Sequence, residues 1–455
     1  MKSSPYNLFL KTLVGPDYLG YNTLTNALIE FSPQDYEKVL GMLSSVNPPA
    51  SGNGSEHLWK MLVDGGFMVD GDFDFKAELR ARYFRSHNSK SLSLTIAPTL
   101  QCNFRCSYCF EENRNESMPA VVQSKLLELV REKLPEDGGL HVTWFGGEPL
   151  LALETIEDLY RNLQAICAER NAKYNGNSII TNGYLLSPGV AERLKAMNIN
   201  SVQITLDGPP EIHDRRRPLA NGGGTFAAIM DNIKKAKDQL NIVVRLNVDK
   251  SNPRAIYGLR ELFDGEGLEN VHIYPGHVQA YTEMCKDLES SCISSEEFLE
   301  FKWDYELHEL AQGRYLQGYP SLLYGYCIAG NPNGYVIAPS GLIFKCWNEI
   351  SNDQTSACGD LAGERSEIMD RNREKWLQWD PFSDGECVRC LCAPLCMGGC
   401  PYIRMRFHVT SCSQYKKHIG DIIALYQALG RLHDVSKVFE EKEISKGFTP
   451  SPPSP

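Results

Sequence analysis

Residues 92–113 read LSLTIAPTLQCNFRCSYCFEEN. The apolar run LSLTIAP predicts a strand. Just past it, Cys102, Cys106 and Cys109 fall at the spacing C-x3-C-x2-C. Thiolates at the C-terminal end of a strand suit zinc or an iron–sulfur cluster. A cubane takes four ligands and this loop supplies three. Spacing alone leaves two readings: a three-cysteine zinc site completed by a distant residue, or a cluster whose fourth iron is open to a substrate or cofactor.

Beyond this stretch the same rhythm repeats. Short apolar runs (HVTWF, NSIIT, SVQITL, NIVVRLNV, NVHIYPG) alternate with helical segments such as 119–133, 154–170, 187–196 and 225–239. Repeated strand–helix units argue for a parallel sheet. Six units are too few for a full barrel, so the fold class is α/β: a partial (β/α)6 TIM-like barrel over residues 91–314. Its chemistry belongs at the C-terminal strand ends.

Residues 1–90 predict a small α+β, winged-helix-like module. YNLFLK and YLGYNTLTNALIEF read as a meander, and SPQDYEKVLGML as a helix capped by Ser32. PPASGNGS (48–55) reads as a loop, and SEHLWKMLVDGGFMVD as a second helix, a Gly-Gly stop and a strand. From about residue 315 cysteine, glycine and turn residues take over. That Cys-rich domain, 315–445, ends in a helix from residue 413, and the Pro/Ser-rich tail 446–455 predicts disorder.

The strand ends carry more than turns. HVTWF ends in Gly146-Gly147-Glu148-Pro149, the next strand in Thr181-Asn182-Gly183, and the next in Thr205-Leu206-Asp207-Gly208-Pro209, followed by His213-Asp214 and Arg217. The three-cysteine loop with Tyr108 before its last cysteine, then GGEP, TNG and LDGP…HD, resembles the radical S-adenosylmethionine (SAM) enzymes over roughly residues 92–310. The resemblance implies that Cys102, Cys106 and Cys109 are the catalytic centre. They would hold a 4Fe–4S cluster whose fourth iron is chelated by SAM, and one electron would yield a 5'-deoxyadenosyl radical. It also implies a SAM site with Tyr108 beside it. The backbone of Gly146, Gly147 and Glu148 would take the amino group. Thr181, Asn182 and Thr205 would lie near the ribose and methionyl groups, and Arg217, Arg245 and Asn247 would complete the pocket. For Arg245 and Asn247 a strand-end salt bridge or hydrogen bond is the alternative.

A second constellation lies downstream. Cys327, Cys346, Cys387-x2-Cys390-x5-Cys396-x3-Cys400 and Cys412 follow a spacing that pairwise zinc ribbons rarely use. The pattern is similar to the SPASM extension of radical SAM enzymes, which implies two auxiliary clusters and so three 4Fe–4S clusters in all. By that resemblance Cys387, Cys390, Cys396 and Cys412 ligate the outer cluster, and Cys327, Cys346 and Cys400 the inner one. Related sulfatase-maturing enzymes carry a fourth inner cysteine where this chain has Ser321, and an aspartate base where it has Trp347. Glu349 is a candidate base, and Cys285, Cys292, Cys358 and Cys392 are spare thiols. The small N-terminal module resembles the leader-binding element (RRE-like) of ribosomal peptide (RiPP) maturases, which adds the leader as a strand; a structural cap on the barrel is the alternative.

The 455 residues carry a net charge of -11 with no basic block, which argues against nucleic acid and anionic membranes. Without an apolar signal-peptide core or spanning run the chain is expected in the cytoplasm, where 15 cysteines point to metal or redox chemistry rather than disulfides. The expected function is peptide maturation: hydrogen abstraction from a precursor peptide, then a thioether or other side-chain crosslink, with a flavodoxin or ferredoxin reductant. Alternatives are a SPASM dehydrogenase acting on a protein side chain or small molecule, a multi-cluster electron carrier, and a zinc-binding interaction protein.

Overall fold

The computed structural model describes residues 1–432 other than 46, 48–54, 112–114, 200, 281, 315–318, 352, 364 and 384. Most of the expected loop 48–55, the end of the C-terminal helix and the tail lie outside the described residues. The chain divides into two compact units. One comprises residues 1–86, 299–326 and 380–455, the other residues 87–298 and 327–379. The boundaries read from the sequence mark changes of motif; these units group the chain by packing, and the Cys-rich segment contributes to both.

In the first unit, β1 (Lys2–Ser3) pairs antiparallel with β5 (Met68–Val69), while β2 (Asn7–Lys11), β3 (Tyr18–Asn22) and β4 (Ala27–Phe31) form the expected meander in the order β2-β3-β4. Ser32 caps the helix Pro33–Leu43, accepting from the Asp35 amide with its hydroxyl. The helix Ser55–Asp64 stops at Gly65-Gly66. Gly66 has φ +75, a left-handed turn that suits glycine. Phe31, Val39, Leu62 and Phe67 close the core between helices and sheet. A second core in the same unit joins Leu19 and Tyr21 of β3 to Cys392, Leu395, Ile419 and Ile423. Thr23 Oγ1 donates to the Leu391 carbonyl at 2.5 Å and Tyr6 Oη to that of Val388 at 2.7 Å, so the N-terminal sheet supports the Cys-rich segment.

The second unit is built on one sheet. β6 (Ser91–Ile96), β7 (Gly139–Trp144), β8 (Lys173–Thr181), β9 (Ser201–Thr205), β10 (Asn241–Val248) and β11 (His272–His277) are parallel neighbours in sequence order. These are the six expected strands. The helices Ala120–Lys133, Leu153–Glu169, Pro188–Ala196 and Phe226–Ala236 lie where the apolar spacing put them. The sequence reading missed the other edge. β12 (Gly334–Ile337) joins β6 in parallel, and β13 (Leu342–Phe344) and β14 (Gly359–Asp360) follow antiparallel, giving nine strands. Runs of two to four residues among glycines carry too little periodicity to be read as strands.

The two faces of the barrel strands differ. In β10, Ile242, Val244, Leu246 and Val248 are buried, whereas Val243, Arg245 and Asn247 are half-buried. The same alternation sets Ser91 and Ser93 against Leu92 and Leu94 in β6, and Ser201 and Gln203 against Val202 and Ile204 in β9. Parallel strands covered on both faces are apolar throughout. Here one face is apolar and buried, and the other is half-buried and mainly polar, with Val243 among its residues.

Candidate functional site

The three-cysteine loop leaves β6 and is fixed by backbone bonds before any ligand is considered. Arg105 N donates to Pro218 O (2.9 Å), Ser107 N to Arg216 O (3.1 Å) and Ala220 N to Asn103 O (2.8 Å). Segment 216–220 thus runs beside the loop like an added strand, with Phe104 bridged to Leu219. The glycines after β7 hold its other side. Gly147 N donates to Thr99 O (3.2 Å) and Glu148 N to Gln101 O (2.8 Å). A Cβ at Gly146 would stand 2.4 Å from the Thr99 carbonyl oxygen, and one at Gly147 2.4 Å from that of Gln101. Close backbone approach is therefore what requires both glycines.

Glu148 is fully buried and tied at both oxygens. Its Oε1 accepts from Thr181 Oγ1 (2.7 Å) and Leu150 N (3.0 Å), and its Oε2 from Asn182 N (2.7 Å). Burial raises its carboxyl above the usual range, opposed by these hydrogen bonds. Asn182 Nδ2 reaches Asn103 Oδ1 (2.8 Å) and lies 4.0 Å from Cys102 Sγ. The ends of β7 and β8 are thereby locked to the cysteine loop.

The other side of the loop meets β9 and β10. Tyr108 Oη accepts from Arg217 Nη1 (2.5 Å) and Asn247 Nδ2 (3.1 Å). Arg245 Nε donates to Asn247 Oδ1 (2.8 Å), and Thr205 is the register partner of Arg245 on β9. Gly276 on β11 leaves room for the Arg245 guanidinium, which lies 2.3 Å from where a Cβ would stand.

The structure thus gathers Cys102, Asn182, Glu148 and Thr181 into one network, and Tyr108, Arg217, Asn247 and Arg245 into another. Arg245 and Asn247 do form the strand-end hydrogen bond that was their alternative reading, while also facing the polar side of the sheet.

Arg216, which the sequence reading passed over, is the hub beneath this network. It is buried, donates to Asp207 Oδ2 (3.2 Å), Asp249 Oδ2 (2.7 Å) and Ser251 Oγ (2.6 Å), and stacks 4.9 Å from the Tyr108 ring centre. The run Arg215-Arg216-Arg217 was the available signal, since helices rarely bury arginine without a partner. The LDGP…HD residues support it from inside. His213 is buried; its Nδ1 accepts from Asp207 N (3.1 Å) and its Nε2 faces Thr225 Oγ1 (3.0 Å). Burial, then the nearby Arg217 charge, pushes His213 down to about 3, so it is neutral.

Burial pushes the thiol of Cys102 up to about 12 and raises Cys106 as well. Bound iron reverses that preference by displacing the protons. Among the described residues no three Cys, His, Asp or Glu side chains close around a single metal ion; ligands of a cubane stand further apart, on separate irons. Three thiols on one fixed loop, with the Arg217 Nε buried and without a hydrogen-bond partner, fit an anionic cluster and its carboxylate-bearing cofactor.

The first unit holds a separate cysteine cavity, lined by Cys387, Cys390, Cys392, Cys396 and Cys412. Cys387 lies on the short helix Gly385–Arg389 and Cys396 ends the turn Ala393–Cys396. Met397, Gly398 and Gly399 all take positive φ, reversing the chain. A Cβ at Gly399 would sit 1.8 Å from the Ser411 carbonyl oxygen, so glycine lets the Cys412 loop close over the cavity. Cys392 is the odd thiol. It is buried in the core and donates to Tyr415 O at 3.1 Å. Cys387, Cys390, Cys396 and Cys412, the set that the resemblance implies, line the cavity beside it. Cys400 caps the helix Pro401–Phe407 in the same unit.

Cys327 and Cys346 belong to the second unit, before and after the hairpin β12–β13. Between them Lys345 is buried, donating to Asn331 O (2.5 Å) and Gly334 O (2.6 Å); burial pushes it down to about 7. Trp347 is 40% exposed and stacks on Phe145 at 5.6 Å. Of the other spare thiols, Cys285 and Cys358 are buried and Cys292 is half-buried.

Residues 96–258 match the family model of the radical SAM superfamily. A cysteine-type anaerobic sulfatase-maturating enzyme of Clostridium novyi (strain NT) is 28% identical over 345 residues, covering 68% of this chain and 88% of that one. The sporulation killing factor maturation protein SkfB of Bacillus subtilis (strain 168) is 26% identical over 162 residues, 35% of this chain and 37% of the relative. Among solved structures, an anaerobic sulfatase-maturating enzyme, anSMEcpe, with bound AdoMet and the Cp18Cys peptide superposes with a TM-score of 0.56 at 20% identity, over 76% of this chain and 99% of that one. Streptococcus suis SuiB bound to its precursor peptide SuiA superposes at 0.51 and 15% identity, over 89% of this chain and 96% of that one. These two share the fold. No described helix is long and apolar enough to cross a membrane. Residues 96–258 thus form a radical SAM domain, and the chain is similar to the anaerobic sulfatase-maturating enzymes over most of their length and to SkfB over part of it.

Proposed function

We propose that this enzyme matures a precursor peptide by joining two of its side chains, through sulfur, carbon or oxygen. The observation that carries the reading is the half-buried, mainly polar face of the sheet from β6 to β11, beside the three-cysteine loop that leaves β6. Such a face accepts an extended peptide; an electron carrier has no need of it. With a 4Fe–4S cluster on Cys102, Cys106 and Cys109 and SAM bound, the site supplies hydrogen-atom abstraction. The chain's own residues orient and shield. The Glu148 network fixes the loop against β7 and β8, Tyr108 and Arg217 fix it against β10, and the apolar outer face excludes water from the sheet. Crosslinking is a net two-electron oxidation, and the cavity at Cys387, Cys390, Cys396 and Cys412 is the proposed seat of one electron-accepting cluster. The cysteine pattern supports three clusters. The N-terminal meander, whose β4 pairs with β3 alone among the described residues, is the proposed leader-binding edge. A flavodoxin or ferredoxin is the proposed reductant.

Trp347 bears on the other reading, side-chain oxidation of the sulfatase-maturing type. An indole is a donor only and takes no proton, so it cannot serve as the base that this chemistry needs at that position. Mass spectrometry of a short peptide encoded beside this chain, coexpressed with it and fragmented, decides between them. Loss of two hydrogens with fragmentation blocked between two residues supports crosslinking, and a cysteine that resists alkylation makes the link a thioether. Loss of two hydrogens with fragmentation intact, as in a new aldehyde, favours the dehydrogenase.

A further inference from the structure

We propose that Arg404 and Lys416 set the reduction potential of the cluster held by Cys387, Cys390, Cys396 and Cys412, raising it so that this centre accepts an electron. The proposal rests on the reading of that cavity as a cluster site.

Both cations line the cysteine cavity. Arg404 lies on the helix Pro401–Phe407, and its Nη1 donates to Cys387 Sγ at 2.9 Å and to the Gly398 carbonyl at 3.2 Å. The backbone contact anchors the guanidinium, so its charge points at a ligand sulfur in a fixed geometry. Lys416 lies in the first turn of the long helix Tyr415–Leu432, with the Glu386 carboxylate 3.4 Å from its Nζ. Glu386 offsets part of the lysine charge, and the lysine is about half exposed, so Arg404 exerts the larger effect.

A cluster with four thiolate ligands gains one negative charge when one electron converts an iron(III) to iron(II). No proton moves and no ligand bond breaks. A charge-assisted hydrogen bond to a ligand sulfur stabilises the reduced form more than the oxidised one and so raises the potential. The electron comes from the substrate radical left after hydrogen abstraction, and leaves to an oxidised flavodoxin or ferredoxin.

The test is an electron-paramagnetic-resonance redox titration of the full chain, reconstituted anaerobically, with iron counted in every sample. Arg404→Gln is expected to keep its full iron content. At fixed potential one centre should show about tenfold less reduced over oxidised cluster, equivalent to about 59 mV for a one-electron couple. Arg404→Lys should restore part of the shift, and Lys416→Met should produce a smaller one. Should Arg404→Gln fail to load iron, Lys416→Met and Arg404→Lys carry the test alone. Full iron with every potential unchanged overturns the role of the two cations and leaves the cluster in place. If Cys387→Ala holds as much iron as the parent chain, the cluster reading itself fails and takes this proposal with it.

Discussion

At the scale of single residues, the site depends on buried groups that a motif search treats as spacers. Arg216 and its two carboxylates, Asp207 and Asp249, are nearly or wholly inaccessible. Removing one partner of a buried ion pair leaves uncompensated charge. Arg216→Met should cost about 3–5 kcal/mol in denaturant unfolding, and it should loosen Tyr108, whose ring the guanidinium covers. An unfolding midpoint equal to the parent's would show that the triad is solvated. His213 gives a pH signature. Its native pKa is about 3 against an ordinary 6.5, so the unfolded chain binds a proton that the native chain refuses. Its contribution is whole above about 6.5 and is lost as the pH falls toward 3. Urea titrations across that window should show stability falling, with a shallower fall in His213→Gln; equal slopes would assign the acid loss to other groups. Cys102→Ala should abolish SAM cleavage, and persistent 5'-deoxyadenosine formation would overturn the assignment of the loop.

At the scale of elements, the turns do the positioning. The loop after β6 is held between the glycines after β7 and the segment 216–220. Gly147→Ala forces a methyl group against two carbonyl oxygens, those of Gln101 and Leu100, at 2.4 and 2.6 Å. The loop must shift by part of an ångström. Equilibrium dialysis should show weaker SAM binding by about tenfold or more, since misplacement on this scale is costly in a preorganised site. The same affinity in the variant would mean that the loop tolerates displacement. The alternation in β10 was visible in NIVVRLNV, but which face was concave was not. That follows from the burial of Val244 and Leu246 and from the bonds of Arg245 to Asn247 and of Asn247 to Tyr108 at the strand end.

At the scale of the whole molecule, the chain has two compact units with a cysteine site in each. With the three proposed cubane clusters the chain would carry about 12 iron atoms. Iron analysis after anaerobic reconstitution should approach that count, and Cys387→Ala should lower it by about four. About eight in the parent chain would leave one cysteine set without a cluster. The N-terminal unit should also matter to recognition: a peptide lacking its leader is expected to be modified far more slowly, while SAM cleavage without peptide stays unchanged. Equal rates with and without the leader would make the meander a structural support for the Cys-rich segment, a role its bonds from Thr23 and Tyr6 already fill.

The sequence by itself determined the six barrel strands, their helices and the two cysteine constellations, because local apolar period and ligand spacing are properties of contiguous residues. It also singled out the loop Cys102–Cys109 as the proposed centre of the chemistry. Tertiary structure alone decided the rest. The Gly146-Gly147 pair proved to be a close backbone contact, and its neighbour Glu148 a buried tie. β12–β14 extended the barrel sheet, and Arg216 turned out to be the hub. Each of these depends on contacts between residues tens to hundreds of positions apart, whose energy comes from burial and paired charge in a shared interior. No local pattern in the chain carries that information.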